Sequence, residues 1–292
     1  MPDGILVINK PSGMTSHDVV DAVRRLAGIR KVGHAGTLDP IATGVLMICL
    51  GQATRVVEHL MDSDKVYEAQ LRLGVTTDTH DTQGKVTGTS EVNVTEEEVR
   101  QVLSSFVGRI QQVPPMYSAL KRNGTPLYEL ARRGVTVKRK PRSVTIHGIE
   151  LLDWASPQFT VRVICSRGTY IRALARDLGE QLGCGAHLTR LIRLASGRFT
   201  LDEAVSLDEL AKAFAQGTWE ELLRPLNEAL LDFPAMIVDA EAERRIRRGQ
   251  QVEGDAPPGP CRAYSPDGKF IAILEHDPRT GLWQPKKVFS HD

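Results

Sequence analysis

The chain has 292 residues, 41% of them hydrophobic and 25% charged, with a net charge of +1. That is long enough for a large core and unlike a disordered, collagenous or disulfide-stapled chain. No apolar run approaches the roughly 18 residues of a membrane span, and "MPDGILVINKPSG" lacks the basic and apolar regions of a secretion signal. The four cysteines, Cys49, Cys165, Cys184 and Cys261, form no CxxC pair, which argues against a zinc site or disulfide framework and fits a cytoplasmic location without membrane attachment.

In chain order, the apolar run Ile5 to Ile8 leads into "NKPSG" and reads as a strand and a turn. "TSHDVVDAVRRLAG" predicts a helix capped by Thr15 or Ser16, with Val19, Val20, Val23 and Leu26 on its apolar face and Gly28 as its stop. "VYEAQLRLG" alternates, placing Tyr67, Ala69, Leu71 and Leu73 on one face of a half-buried strand. Residues 95–107 predict an amphipathic helix. Thr95 and Glu98 have capping-box spacing, and Val99, Val102, Leu103 and Phe106 face the core. "FTVRVIC" alternates again, and a "SRGT" turn leads into a helix bearing Ile171, Leu174, Ala175 and Leu178. Ser206 and Glu209 make another capping box. Without a strict βαβ rhythm, this order predicts an α+β fold with a mixed, mostly antiparallel sheet flanked by helices.

Two stretches stand apart. Residues 114–142, "PPMYSALKRNGTPLYELARRGVTVKRKPR", begin with two prolines and end in a basic cluster, which predicts a flexible arm leaving the core. After "NEALLDFPAMIVD" the strand-like pieces are short and broken by "GDAPPGPC", "SPDGK" and "DPRTG". We therefore expect one domain over residues 1–230 and a small β-rich domain over 231–292.

The near-zero net charge hides an uneven distribution. Between Arg109 and Arg198 there are 16 lysines and arginines against five acids, while the rest of the chain holds 21 against 31. A concentrated positive surface suits a polyanion such as nucleic acid, whereas cations spread over several solvated faces would leave the same sequence.

For chemistry, "GHAGTLDPIATGVL" is the most informative segment, because Asp39 is its single carboxylate. Asp followed by Pro is a favoured helix start, so a capping role is open. Gly33, Gly36 and Gly44 also permit close approach of a ligand to the backbone, and there Asp39 would act as a lone nucleophile or base. In "TDTHD", Asp78, His80 and Asp81 could bind a metal, but the spacing fits no established motif and suits an oxygen-rich turn equally well. Tyr67 is either a core tyrosine or an aromatic surface for an unstacked base. Arg172 is either solvated or, if buried, paired with a carboxylate.

"INKPSGMTS", "GHAGTLDPIATGVL", "DKVYEAQLRLG", "TDTHDTQG", "PPMYSALKRNGTPLYELARRG" and "CSRGTYIRALARDLG…GCGAHLTRLIR" follow one another in register over residues 4–200. Together they closely resemble the TruB family of bacterial tRNA pseudouridine synthases. Residues 231–292 resemble that family's PUA-like RNA-binding domain. The resemblance implies isomerisation of uridine-55 in the T loop of tRNA to pseudouridine on a flipped-out base, by a monomer using neither metal nor redox cofactor. It further implies that Asp39 is the catalytic aspartate, with Arg172 as its partner and Tyr67 against the target base. His34, Tyr170 and Leu191 would contact the substrate. The 114–142 excursion would be the family's mobile RNA-gripping arm, with Lys121, Arg132, Arg133, Lys138, Arg139, Lys140 and Arg142 toward phosphates.

Whether the carboxylate attacks C6 or C1′, or assists a glycal route, is left open by the residues. The competing classes are a non-catalytic RNA-binding protein of this fold, a related synthase working inside a guide-RNA particle, and a metal-dependent hydrolase.

Overall fold

In the computed structural model, which describes residues 3–290, chain order begins with β1 (Gly4–Lys10), α1 (Ser16–Ala27), β2 (Val32–Ala35), β3 (Thr43–Leu50), α2 (Val57–Met61) and β4 (Lys65–Leu73). A small hairpin of β5 (Val75–Thr77) and β6 (Val86–Thr89) precedes α3 (Glu96–Ser105) and β7 (Gly108–Gln112). Next come β8 (Lys121–Arg122), β9 (Thr125–Pro126), α4 (Leu127–Arg132), β10 (Arg142–Ala155) and β11 (Gln158–Cys165). Then α5 (Ile171–Gln181), β12 (Ala186–Ser196), β13 (Phe199–Thr200) and α6 (Leu207–Gln216) complete the larger part. Finally β14 (Ala235–Ile237), α7 (Ala240–Arg247), β15 (Pro260–Tyr264), β16 (Phe270–Asp277) and β17 (Leu282–Val288) form the smaller one.

Capping chemistry sets the predicted helices where expected. The Thr15 hydroxyl accepts the Asp18 N–H, the Asp18 carboxylate accepts the Thr15 N–H, and Gly28 closes α1 at φ 65°. The Thr95–Glu98 and Ser206–Glu209 boxes form in the same way. Leu26 departs from expectation: it is 37% exposed and lies off the core.

The main sheet has the order β1-β3-β12-β4-β11-β10-β7, with β2 and β13 alongside. Every pairing is antiparallel except β12 with β3, so the sheet is mixed and mostly antiparallel. β1 and β3 are near-continuous buried runs, as strands covered on both faces require. β4 alternates as predicted, with Tyr67, Ala69, Leu71 and Leu73 buried. β3 divides its second edge: β2 takes Met47 to Leu50, while β12 takes Thr43 and Gly44. The loop carrying Asp39 is therefore held between three strands.

Residues 235–288 form a four-stranded sheet, β14-β15-β16-β17, with its own core around Met236, Ile246, Cys261, Leu274 and Trp283. Phe270, Ile273 and Phe289 instead pack on Ile5, Val7 and Met47 of the main sheet. Lys287 Nζ donates to Glu58 Oε1 at 2.6 Å, and Arg55 Nη1 donates to the Val288 carbonyl at 2.6 Å, tying the two parts together.

The arm expected over 114–142 contains regular structure. β8 and β9 make a hairpin, α4 follows with Leu127 buried, and residues 133–141 then return to β10 without helix or strand.

Candidate active site

Asp39 lies between β2 and β3, and no helix follows it. The capping expectation fails because Pro40 and Ile41 form a turn in which the Ala42 N–H donates to the Asp39 carbonyl at 3.0 Å. Proline's fixed φ suits the second position of a turn as well as a helix start, so the same dipeptide serves either. Ser16 pins the loop, its hydroxyl donating to the Leu38 carbonyl (3.2 Å) and accepting the Leu38 N–H (2.8 Å). Buried Lys10 donates to the carbonyls of Pro11 (2.8 Å), Met14 (2.6 Å) and Pro40 (3.4 Å). Burial lowers its pKa to about 8, against the attraction of Asp39.

Arg172, in the first turn of α5, donates from Nε to Asp39 Oδ2 at 2.8 Å and from Nη2 to Asp39 Oδ1 at 2.7 Å. Its other bonds fix the guanidinium plane: Nη1 to the Thr79 carbonyl at 3.0 Å and Nη2 to the Tyr117 carbonyl at 2.7 Å. Asp81 Oδ2 stands 3.6 Å from Nε. The arginine side chain is 4% exposed and that of Asp39 is 31% exposed. The fork thus grips the carboxylate from the protein side and leaves its outer side open to an incoming group.

Tyr67 on β4 pairs with Arg193 on β12, and two residues along Ala69 pairs with Leu191. Tyr67 and Leu191 are buried in the same core cluster as Leu38 and Ile171, the chain neighbours of Asp39 and Arg172, and burial pushes the Tyr67 phenol above its ordinary pKa. His34 on β2 has its Nδ1 buried without a hydrogen-bond partner among the described residues. Burial, then the positive charge of Arg193, holds its imidazole below the usual range and hence neutral near pH 7. Tyr170 precedes α5. Gln112 clasps its backbone, accepting the Tyr170 N–H at 2.8 Å and donating to its carbonyl at 3.1 Å. Burial also raises the Tyr170 phenol, with Asp39 contributing.

The arm's cations divide into two groups. Lys121, Arg132, Arg133, Lys138, Lys140 and Arg142 are exposed. Arg139 is half-buried. Its Nη1 donates to the Pro114 carbonyl at 3.2 Å, while its Nε is buried without a partner among the described residues. It faces the His80–Arg176 side of the site rather than open solvent, and its charge bears on both.

The "TDTHD" residues do not converge. Asp81 accepts from Thr79 Oγ1 (2.6 Å) and the Gln83 N–H (3.0 Å) and faces Arg172, whereas Asp78 accepts the Lys85 N–H at 2.8 Å. His80 sits at φ 63°, and burial together with Arg176, Arg172 and Arg139 lowers its pKa to about 4. Among the described residues, no three His, Cys, Asp or Glu side chains are grouped as metal ligands. Two cavities of about 530 Å³ lie away from Asp39, one of them lined by Asp3, Gln52, Tyr264 and Phe289 and the other by His59, Asp62, Arg198 and Glu228.

Sequence reasoning missed Lys10, Gln112 and Arg193, and it singled out Asp81 as a metal or turn residue rather than as a neighbour of Arg172. A signal existed for Arg193: in "LTRLIRLAS", alternation places it on the inner face with Leu191.

A family model described as "TruB family pseudouridylate synthase (N terminal domain)" matches residues 24–171, and one described as "tRNA pseudouridylate synthase B C-terminal domain" matches residues 172–231. The chain is similar to a tRNA pseudouridine synthase B of Dechloromonas aromatica (strain RCB), 48% identical over 98% of this chain and 95% of the relative. One from Syntrophotalea carbinolica is 51% identical over 85% of this chain and 81% of the relative. Among solved structures, a chain of a Cbf5-Nop10-Gar1 complex superposes with a TM-score of 0.77 at 27% identity, over 98% of this chain and 85% of that one. A chain of an H/ACA RNP bound to a substrate RNA gives 0.76 at 24% identity, over 99% and 85%, a likeness of fold.

Proposed function

This chain belongs to the TruB family of pseudouridylate synthases, and on that premise we propose that it isomerises uridine-55 in the T loop of tRNA, with Asp39 opening the reaction. It is a tRNA pseudouridine synthase, an isomerase that acts on RNA. The observation that carries the assignment of Asp39 is the two-point grip of Arg172 on a carboxylate whose outer side is open.

The reaction breaks the N1–C1′ bond, forms a C5–C1′ bond, removes the C5 proton and returns a proton to N1. No oxidation state changes, so no redox partner or energy source is required. A fixed carboxylate suffices to start it, and the two hydrogen bonds from Arg172 hold Asp39 in orientation. The target base must leave its stack, at a cost of a few kcal/mol that stacking worth about 1–3 kcal/mol per base offsets. Tyr67, backed by Leu191, supplies that aromatic surface, while His34 and Tyr170 close the sides. The exposed cations of residues 121–142 lie along the phosphates of the T stem. Residues 231–292 act as a PUA-like RNA-binding domain beside the catalytic domain of residues 1–230. The match at 45–51% to tRNA enzymes, against 24–27% to chains from an H/ACA RNP and a Cbf5-Nop10-Gar1 complex, favours a stand-alone tRNA enzyme.

Release of tritium from an unmodified tRNA transcript carrying [5-³H]uridine tests this reading. Wild-type enzyme should release it with or without EDTA, and a transcript with cytidine at position 55 should give none. Undiminished release from that second transcript would overturn the assignment of the site on the RNA, and no release from either would overturn the activity.

A further inference from the structure

Arg193 takes no part in the bond-making and bond-breaking steps, yet its setting is costly. It is 1% exposed and one of the largest fully buried side chains. A buried arginine ordinarily has a carboxylate. Arg172 has two, Asp39 and Asp81. The polar partners of Arg193 among the described residues are instead the Val45 carbonyl (from Nε, 2.6 Å), the Gly36 carbonyl (from Nη2, 3.0 Å) and the side chain of Tyr67. Lys10 and Lys65 stand near enough to be repelled: after burial, the charge of Arg193 helps hold both down to about 8.

These contacts share a geometry. Gly36 and Val45 flank Asp39 at the start and end of its loop, so one guanidinium holds both. Tyr67 is the residue directly opposite Arg193 across the β4–β12 pairing, and Gly44 is opposite it across the parallel β3–β12 pairing. The loop is also shaped around this arginine. A Cβ at Gly36 would lie 3.4 Å from Arg193 Nη1, and one at Gly44 would lie 2.3 Å from the Arg193 carbonyl oxygen. At these two positions the close approach expected of a ligand is made by Arg193.

We propose that Arg193 is a positioning residue for the isomerisation, its planar fork locking both ends of the Asp39 loop to the Tyr67 phenol so that carboxylate and aromatic ring face the base as one rigid unit. The proposal rests on the isomerase function proposed for this site. Lysine keeps the charge but, as a point donor, lacks the fork that serves the Val45, Gly36 and Tyr67 acceptors together.

Arg193→Lys is the test, compared with wild type for thermal midpoint, tRNA Kd and single-turnover tritium release at saturating enzyme. The release rate should fall about a hundred-fold, the scale of an ångström's misplacement of reacting groups, while Kd changes less than three-fold. Combined with Tyr67→Phe, it should cost little beyond the larger single effect, because the two act through one contact. A wild-type rate in Arg193→Lys, or fully additive losses in the pair, would overturn the proposal. So would a rate deficit that disappears at a temperature where the variant is fully folded. If folding of Arg193→Lys is too weak to measure, Arg193→Gln, whose amide nitrogen extends only about as far as the arginine Nε and so loses the bond to Gly36, gives the same comparison. Absence of release by wild type would instead sink the activity on which the proposal rests.

Discussion

Asp39 and Arg172, 133 residues apart in sequence, are joined by two hydrogen bonds of 2.8 and 2.7 Å, with the arginine sealed inside and the carboxylate open. Asp39→Asn preserves the shape and removes the charge and nucleophilicity. Turnover should be abolished while tRNA Kd stays within a few-fold, read by tritium release and filter binding. Appreciable release by this variant would defeat the role given to Asp39.

Replacing Arg172 by lysine retains a positive charge and loses the fork that serves Asp39, Thr79 and Tyr117 together. The single-turnover rate should fall by about a hundred-fold. Asp81→Asn, acting at 3.6 Å rather than 2.7 Å, should cost less. The opposite ranking would show that Asp81 dominates the orientation of the arginine.

Exposed and inward-facing cations of the arm should behave differently. Lys138→Ala with Lys140→Ala should weaken tRNA binding and flatten the plot of log affinity against log salt, by a little under one unit for each duplex phosphate left without its cation. Arg139→Ala, held at Pro114 beside the site, should lower the single-turnover rate more than it changes the salt slope. A salt slope unchanged by the Lys138/Lys140 pair would move the RNA track elsewhere on the basic surface.

Two glycines predict a stability contrast. Gly28 and Gly44 both have positive φ, 65° and 98°, but a Cβ at Gly28 meets nothing within 4 Å, whereas at Gly44 it meets the backbone of Arg193 at 2.3 Å. Gly28→Ala should cost about 1–2 kcal/mol, the strain of the left-handed region alone. Gly44→Ala should cost clearly more, because strand β12 must move. Urea unfolding midpoints give the comparison, and equal losses would mean that β12 does not press on Gly44.

His80 should make the fold acid-sensitive. Its folded pKa of about 4 lies below histidine's ordinary 6.5. Between these values the unfolded chain takes up a proton that the folded chain refuses, so stability is full above pH 6.5 and falls as pH drops toward 4. His80→Asn, which tolerates the φ of 63°, should flatten that decline in urea titrations run at about pH 7.5, 6 and 5, one value above the window and two within it. An unchanged decline would place the acid sensitivity elsewhere.

Much of the framework was legible because local chemistry decided it. Alternation placed Tyr67, Ala69, Leu71 and Leu73 inward, and Thr15, Thr95 and Ser206 fixed three helix starts. The need of a buried arginine for a carboxylate pointed from Arg172 to Asp39. The rest depended on contacts that no local pattern encodes. An Asp-Pro pair suits both a turn and a helix start. Asp81 looked like part of an oxygen-rich turn until its bridge to Leu188 on β12 buried it. Arg193 was one cation in a basic run, and what occupies the space left by Gly36 and Gly44 becomes visible only when β12 pairs with β3.

The Tyr117 carbonyl takes the same Arg172 nitrogen that donates to Asp39 Oδ1. The root of the arm and the reactive carboxylate therefore share a donor, and neither can shift without altering the other's hold on it. Thermodynamic reciprocity follows: if seating the arm on RNA steadies the ion pair, a steadier ion pair favours the seated arm by the same free energy. On the function proposed above, seating the arm and readying the carboxylate are then two readings of a single equilibrium.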